Sequence, residues 1–508
     1  MRLFPLNACR LCARVIQVGA VLGVALLLAG CGDQYRAVIT PVGTTGPASQ
    51  PAAYAVAVSA TTSNAPGVAT IINYSGDSVM AEAPLSPNGA TVGAAPVSFS
   101  LDPNGANGYT VNRDGTITNF PISTTLQSKN VQYTTVPPTS KLVNLTALSG
   151  GLWAADLTGN VADSFSGSPQ AFKIAIPVAD TPIAIVTPSS STPQRVYAVS
   201  QQIAGATGVE CNASPRAQVT GAVTPIEVSS NSPDTAIPVG ICPVYGVETP
   251  DTQRLFVLNR GDDTITVINS NINALDNQCP PPTGCTNQNG QTYFSHPSLP
   301  LSTSAGLAQD AGNNVPAIAG PVYAEYNAAT QQLVVSNYDG NTISVIDVSL
   351  DQFGNDSPTF GTTYTIPVGK NPASLTVLVD GSRAYTANQA DGTVTVVNLS
   401  SHTVEKTLTV VGNPRTVVSI QNSQYGKVYV GSPNSPYLTV IQTVSDLVDT
   451  TVLLEGTLVD VHITNNSGGS ASGAGNPAFV SRIPGYGQPC NTPGAAATAS
   501  LSACEAIQ

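Results

Sequence analysis

A chain of 508 residues has room for one large all-β domain or for two or three ordinary ones. Charged residues make up only 9% of it, against roughly 25% in a typical soluble domain, while Gly (45) and Pro (40) are abundant, which excludes coiled coils. A net charge of −12 and three His exclude a basic nucleic-acid-binding face and a His-rich metal centre, and 42% hydrophobic residues leave a turn-rich β protein with a sizeable core rather than a disordered chain.

The first thirty residues read as a targeting segment outside the fold. Arg2, Arg10 and Arg14 form a positive start, and Val15 to Leu28 is uncharged and apolar but short of the about 20 residues that a membrane span needs. The stretch ends in Leu28-Ala29-Gly30-Cys31, which resembles the lipobox of bacterial lipoproteins. That resemblance implies lipidation of Cys31, cleavage before it and acylation of the new amino terminus; the plainer reading is an ordinary secretory signal. Two or more acyl chains anchor stably where one would not. Cleavage would remove three Arg and no acid, taking the charge from −12 to −15. Residues 31–51, rich in Gly, Pro, Thr and Ser, read as a flexible tether, and nothing later has the length and apolarity of a membrane-spanning helix.

Cysteine usage points to an oxidising compartment. Of nine Cys, Cys9 and Cys12 fall in the cleaved segment and Cys31 is the lipidation site, leaving an even six. Proximity pairs them as Cys211 with Cys242, Cys279 with Cys285, and Cys490 with Cys504. A zinc site is the competing reading, but no second Cys pair stands beside Cys279 and Cys285.

Internal repeats then decide the architecture. Residues 254–269 (RLFVLNRGDDTITVIN), 332–347 (QLVVSNYDGNTISVID) and 383–398 (RAYTANQADGTVTVVN) align without gaps. They share Asn259, Asn337 and Asn388, and then Thr264, Thr342 and Thr393. Each is a β-rich run, a polar Gly/Asp turn and a second alternating run, which is a hairpin pattern. A second phrase recurs as Ile176-Pro177-Val178, Ile237-Pro238-Val239 and Ile366-Pro367-Val368, each followed four residues after its Val by Pro182, Pro243 or Pro372. Proline removes a ladder donor and belongs at strand ends.

The unit resembles the YVTN-type β-propeller repeat, most strongly from Pro243 to Val440 and traceably from Tyr54. The resemblance implies an all-β propeller of four-stranded antiparallel blades around a channel. The pattern is weaker at 109–112 and 152–155. Second-strand candidates are Tyr54, Tyr109, Leu152, Tyr197, Phe256, Val334, Tyr385 and Tyr429, which gives eight blades, with seven as the alternative. The first repeat lacks an innermost strand, and a surplus run, Thr457 to Thr464, follows the last. Pairing the two would close the ring and abolish two exposed edges. The propeller is therefore expected over 52–466, with an insertion at about 270–320, and a Gly/Ser-rich tail over 467–508.

The expected inner strands supply the candidate channel residues: Tyr245 and Glu248, Tyr323 and Glu325, and Asp460 and His462. Strand alternation places Tyr323 with Glu325, and Asp460 with His462, on shared faces. A Glu in a narrow channel could act as acid, base or metal ligand; polar channel walls in propellers are the commoner explanation. The Asp-rich turns at Asp114-Gly115, Asp262-Asp263, Asp339-Gly340 and Asp391-Gly392 lack the ligand spacing of a calcium loop and suit tight hairpins. Arg260-Gly261-Asp262 spells an adhesion tripeptide but occupies the same turn register. His402 and His296 read as solvated surface. No nucleophile elbow, phosphate-binding loop or metalloprotease helix is present, and no cofactor is indicated.

These features favour a cell-envelope lipoprotein, anchored through acylated Cys31 and facing the periplasm or exterior. Its propeller would bind or scaffold a small ligand or an envelope protein, and nucleic acid is not an expected partner. The alternative is a lactonase-like hydrolase with its site in the channel, because some propellers of this type resemble lactonases; fold alone does not fix chemistry.

Overall fold

Short β-branched and aromatic runs separated by Gly, Asn and Asp turns form eight four-stranded antiparallel sheets in the computed structural model. It describes residues 53–464 apart from 63, 88–89, 129, 189–192, 206–218, 302–318 and 421–423. The expected signal segment, Cys31, the tether, Cys211 and the tail with Cys490 and Cys504 lie outside the described residues.

The sheets are the blades of an eight-bladed propeller, so the eight-blade reading holds and the seven-blade alternative falls. Blades 2 to 8 start with the inner strands Pro96–Leu101, Leu142–Leu148, Pro182–Val186, Pro243–Glu248, Pro321–Asn327, Pro372–Val377 and Thr416–Ile420. All eight second-strand residues named from the sequence lie in second strands. Blade 1 takes its inner strand from the far end of the chain. Thr457–Ile463 pairs antiparallel with Tyr54–Ala60, with Ala55 opposite Ile463 and Val56 opposite His462. Tyr54 N donates to Thr464 Oγ1 at 2.8 Å, and Thr464 N to Tyr54 O at 2.9 Å, finishing the ladder.

The repeated phrases now have a physical reason. Ile176-Pro177 and Ile366-Pro367 end the outer strands of blades 3 and 6, and Pro182, Pro243 and Pro372 open the next inner strands. Pro96 and Pro321 do the same, and the pairing register shifts just after each of these five prolines. The residue before each proline is left-handed: Ala95 (φ 49), Thr181 (φ 58), Cys242 (φ 54), Gly320 (φ 60) and Asn371 (φ 52). The shared Asn and Thr tie the hairpin turn. Asn259 Nδ2 donates to Thr264 Oγ1 and Thr266 Oγ1 at 3.0 and 2.8 Å. Asn337 with Thr342 and Ser344, and Asn388 with Thr393 and Thr395, repeat those distances.

Each blade presents both faces to its neighbours, so the apolar core is divided among the seams rather than gathered on the axis. One cluster joins blades 8 and 1 through Tyr429, Leu458 and Val461, another joins blades 1 and 2 through Ile71, Phe99 and Phe120, and others fill the remaining seams. A polar clamp recurs beside them. Arg383 Nη1 reaches Asp446 Oδ1 of the next blade at 2.9 Å, and the Tyr385 hydroxyl meets the same carboxylate. Lys427 Nζ reaches Asp77 Oδ2 at 2.6 Å and Tyr429 OH reaches Oδ1 at 3.3 Å, across the closing seam. Both acceptors have positive φ (51 for Asp77, 50 for Asp446), a conformation Asp tolerates.

The insertion interrupts the outer strand of blade 5: Ala274–Leu275 and Ser298–Pro300 both pair with Thr264–Asn269, and residues 276–297 lie between them. Cys279 and Cys285 form the expected disulfide within it. Cys242 is also disulfide-bonded.

Candidate functional site

An inner strand has a free backbone edge towards the axis, and its polar groups need partners. Side chains of one blade supply them to the next. Ser100 Oγ accepts from Ala147 N at 3.3 Å between blades 2 and 3. Asn144 Oδ1 accepts from Ile185 N at 2.8 Å, and Thr146 Oγ1 donates to Ile185 O at 2.8 Å, between blades 3 and 4. Thr376 and Ser419 hydroxyls meet at 2.9 Å between blades 7 and 8. The ring is laced from within.

The sequence-nominated residues lie on these inner strands, and all six are buried. Glu325 is 1% exposed; its Oε2 accepts from Val377 N of blade 7 at 2.8 Å and its Oε1 from Tyr323 OH at 3.3 Å. Tyr323 in turn packs on Tyr245 of blade 5, ring centroids 4.8 Å apart. His462 Nε2 lies 3.1 Å from Phe99 O of blade 2 and 3.2 Å from Asp460 Oδ2. A carbonyl only accepts, so Nε2 carries the proton. The two pairs expected on shared faces are therefore brought together. Glu248 stands apart from them: it is buried near Arg195 and Ser270, and burial pushes its carboxyl up to about 8 against their opposing pull.

Sequence reasoning missed a second polar cluster, beneath the insertion. Arg254 is 2% exposed, with Nε 3.2 Å from Asp276 Oδ2 and Nη2 3.1 Å from Asp356 Oδ1. The other Asp356 oxygen takes His296 Nδ1 at 2.8 Å and His296 N at 3.1 Å. His296, expected on the solvated surface, is instead held half-buried by this carboxylate and stacked on Phe360, centroids 5.3 Å apart. Burial and the neighbouring Asp356 push Asp276 up to about 6. The only sequence signal was an Arg opening a second strand; its acids come from two separate loops. His402 is partly buried and stacks on Tyr364 at 3.7 Å.

The turn aspartates are committed to backbone and side-chain partners. Asp262 Oδ2 accepts from Ile241 N at 3.0 Å, and Asp391 Oδ2 from Lys370 N at 2.7 Å. Arg260 is 3% exposed and grips Asp339 through two nitrogens, so the Arg-Gly-Asp tripeptide is not displayed. Among the described residues, no three of His, Cys, Asp and Glu converge as a metal site, and no helix is long and apolar enough to cross a membrane.

A cleft of about 300 Å³ opens between blades 2 and 3, at the end of the ring that carries the turns between second and third strands. Val97, Val111, Val136, Leu142 and Val143 wall it, and Asn112, Arg113, Ser140 and Lys141 stand at its polar side.

No family model and no curated protein matches this sequence. Solved structures match it along most of its length. AztD from Citrobacter koseri superimposes with a TM-score of 0.53 at 10% identity, covering 82% of this chain and 99% of that one. A putative 6-phosphogluconolactonase from Bacteroides fragilis gives 0.50 at 13%, covering 83% and 100%. The dihydro-heme d1 dehydrogenase NirN, in complex with DHE, gives 0.52 at 12%, covering 81% and 75%. At these identities the likeness defines the fold, a β-propeller, and nothing finer.

Proposed function

We propose that the chain is a lipid-anchored binding module of a bacterial cell envelope, built on a YVTN-like propeller and held to a membrane through acylated Cys31. The observation that supports a binding module over a channel hydrolase is the commitment of the inner-strand groups: Glu325 serves Val377 N and His462 serves Phe99 O. A hydrolase working on the axis needs such groups turned to substrate, and freeing Glu325 would leave a buried backbone donor unpaired, at about 1–3 kcal/mol. The lipobox at Leu28-Ala29-Gly30-Cys31 supports the anchor. The alternative is a lactonase, and only the fold likeness to the Bacteroides fragilis protein favours it.

The mature protein, mixed with sugar lactones in the presence and absence of divalent metals, is expected to add nothing to the uncatalysed rate. A rate that disappears in Glu325→Gln would overturn the reading. In the producing bacterium, Cys31→Ser is expected to move the protein from the membrane to the soluble fraction; retention in the detergent-requiring fraction would overturn the anchor.

A further inference from the structure

We propose that the cleft between blades 2 and 3 binds a small anion with a short aliphatic body, of the class of a medium-chain carboxylate. This deepens the binding-module reading and rests on it. The walls are aliphatic and come from four separate stretches: Val97 from the inner strand of blade 2, Val111 from its second strand, Val136 from the corner that leaves it, and Leu142 and Val143 from the inner strand of blade 3. A volume of about 300 Å³ is at the small end of ligand sites and suits a chain of a few carbons.

The polar side determines the sign of the ligand. Arg113 and Lys141 both line the cleft, in a chain with 18 basic against 30 acidic residues. Among the described residues Arg195, Arg254, Arg260 and Arg383 are each clamped to carboxylates. Among the described residues the Arg113 guanidinium has no such partner. Its neighbour Asp114 does not supply one, because Oδ2 accepts from Ala94 N at 2.9 Å and Oδ1 from Thr116 N and Oγ1 at 3.1 and 2.6 Å. Behind the cleft, Asp156 is buried and accepts from Lys141 N and Thr158 N at 2.8 and 2.9 Å. Asp163, also buried, accepts from Ser140 Oγ at 3.4 Å. A guanidinium with no carboxylate at the mouth of an apolar hole suits a carboxylate head whose tail enters the hole.

The experiment titrates the mature protein, methyl-labelled at Val and Leu, with sodium hexanoate, hexylamine and hexanol. Hexanoate is expected to shift a small methyl set saturably, with about tenfold weaker binding in Arg113→Glu and none in the cleft-filling Val136→Trp. Arg113 is exposed, so its variant is expected to melt as the parent does. Should Val136→Trp fail to fold, the Arg113→Glu comparison and the hexylamine control decide alone. Equal affinity for hexanoate in Arg113→Glu, equal affinity for hexylamine, or no saturable shift would overturn the assignment. Such a failure would leave the binding-module reading intact, because the lactone assay decides that separately.

Discussion

Asn388 occupies the space that any side chain at Gly369 would need: a Cβ there would sit 2.6 Å from Asn388 Nδ2. Gly240 and Asn259 repeat the relationship at 2.5 Å. The Gly that follows the Ile-Pro-Val phrase and the Asn that ends the second strand are thus two sides of one contact, although they lie 19 positions apart in the chain in both repeats.

Gly369→Ala must displace that amide from Thr393 and Thr395, to which it donates at 3.0 and 2.8 Å. The expected loss is about 2 kcal/mol, read as a lower urea midpoint. Asn388→Ala alone should cost a similar amount, and the double variant clearly less than the sum, because the clash disappears with the amide. Strict additivity would show that the two positions do not meet.

Arg254 bridges Asp276 and Asp356, while His296 meets only Asp356. Arg254→Met leaves two buried acids without their counter-charge and is expected to destabilise by about 3–5 kcal/mol. Because Asp356 also holds His296, proteolysis within 276–297 should accelerate before global unfolding. An unchanged denaturation midpoint would count against the cluster as a structural pin.

Asp163 is buried beside Asp156, and the first of these facts more than the second lifts its carboxyl to about 7 from 3.8. The native state therefore holds a proton that the unfolded chain releases. Its contribution to stability is complete below pH 3.8 and is lost as pH rises through about 7. Asp163→Asn cannot ionise, so its melting temperature relative to the parent should climb between pH 4 and pH 8. A difference that shrinks over that interval would contradict the assignment.

Thr181 adopts φ 58, which is costly for a β-branched residue, where the equivalent corner before blade 7 uses Asn371 at φ 52. Thr181→Asn is expected to stabilise by about 0.5–1 kcal/mol, since Asn tolerates this region and Thr does not. Calorimetry of the two proteins side by side reads the effect directly.

A chain ending at residue 455 lacks the strand Thr457–Ile463 and exposes the edge Tyr54–Ala60; it is expected to aggregate. A chain ending at residue 467 keeps that strand and should melt like the untruncated protein. Identical melting of both chains would refute closure by this pair.

The fold was legible because it repeats: Asn259, Asn337 and Asn388 announce one hairpin three times, and Thr457–Ile463 could be assigned as the strand that blade 1 lacked. The polar sites were less so. Alternation put Asp460 with His462 and Tyr323 with Glu325, but it says only that two residues share a face. In a propeller both faces of an inner strand meet other blades, so sharing a face does not place a residue on the channel. The His296–Asp356 contact joins loops of two different blades, 60 residues apart, and no local pattern encodes it. The cleft is built the same way, from four stretches that are individually unremarkable strand and corner sequence.

The closing pair also fixes how the ring answers to tension. Ala55 lies opposite Ile463, so the chain enters and leaves the ring at the same end of one antiparallel pair. Pulling residues 53 and 464 apart would load the rungs in succession, like a zipper, instead of all together in shear. If the amino end is fixed to a membrane, drag on anything gripping the carboxyl end falls first on the Tyr54–Thr464 rung. Blade 1 would then peel open while the other seven keep their own internally supplied strands.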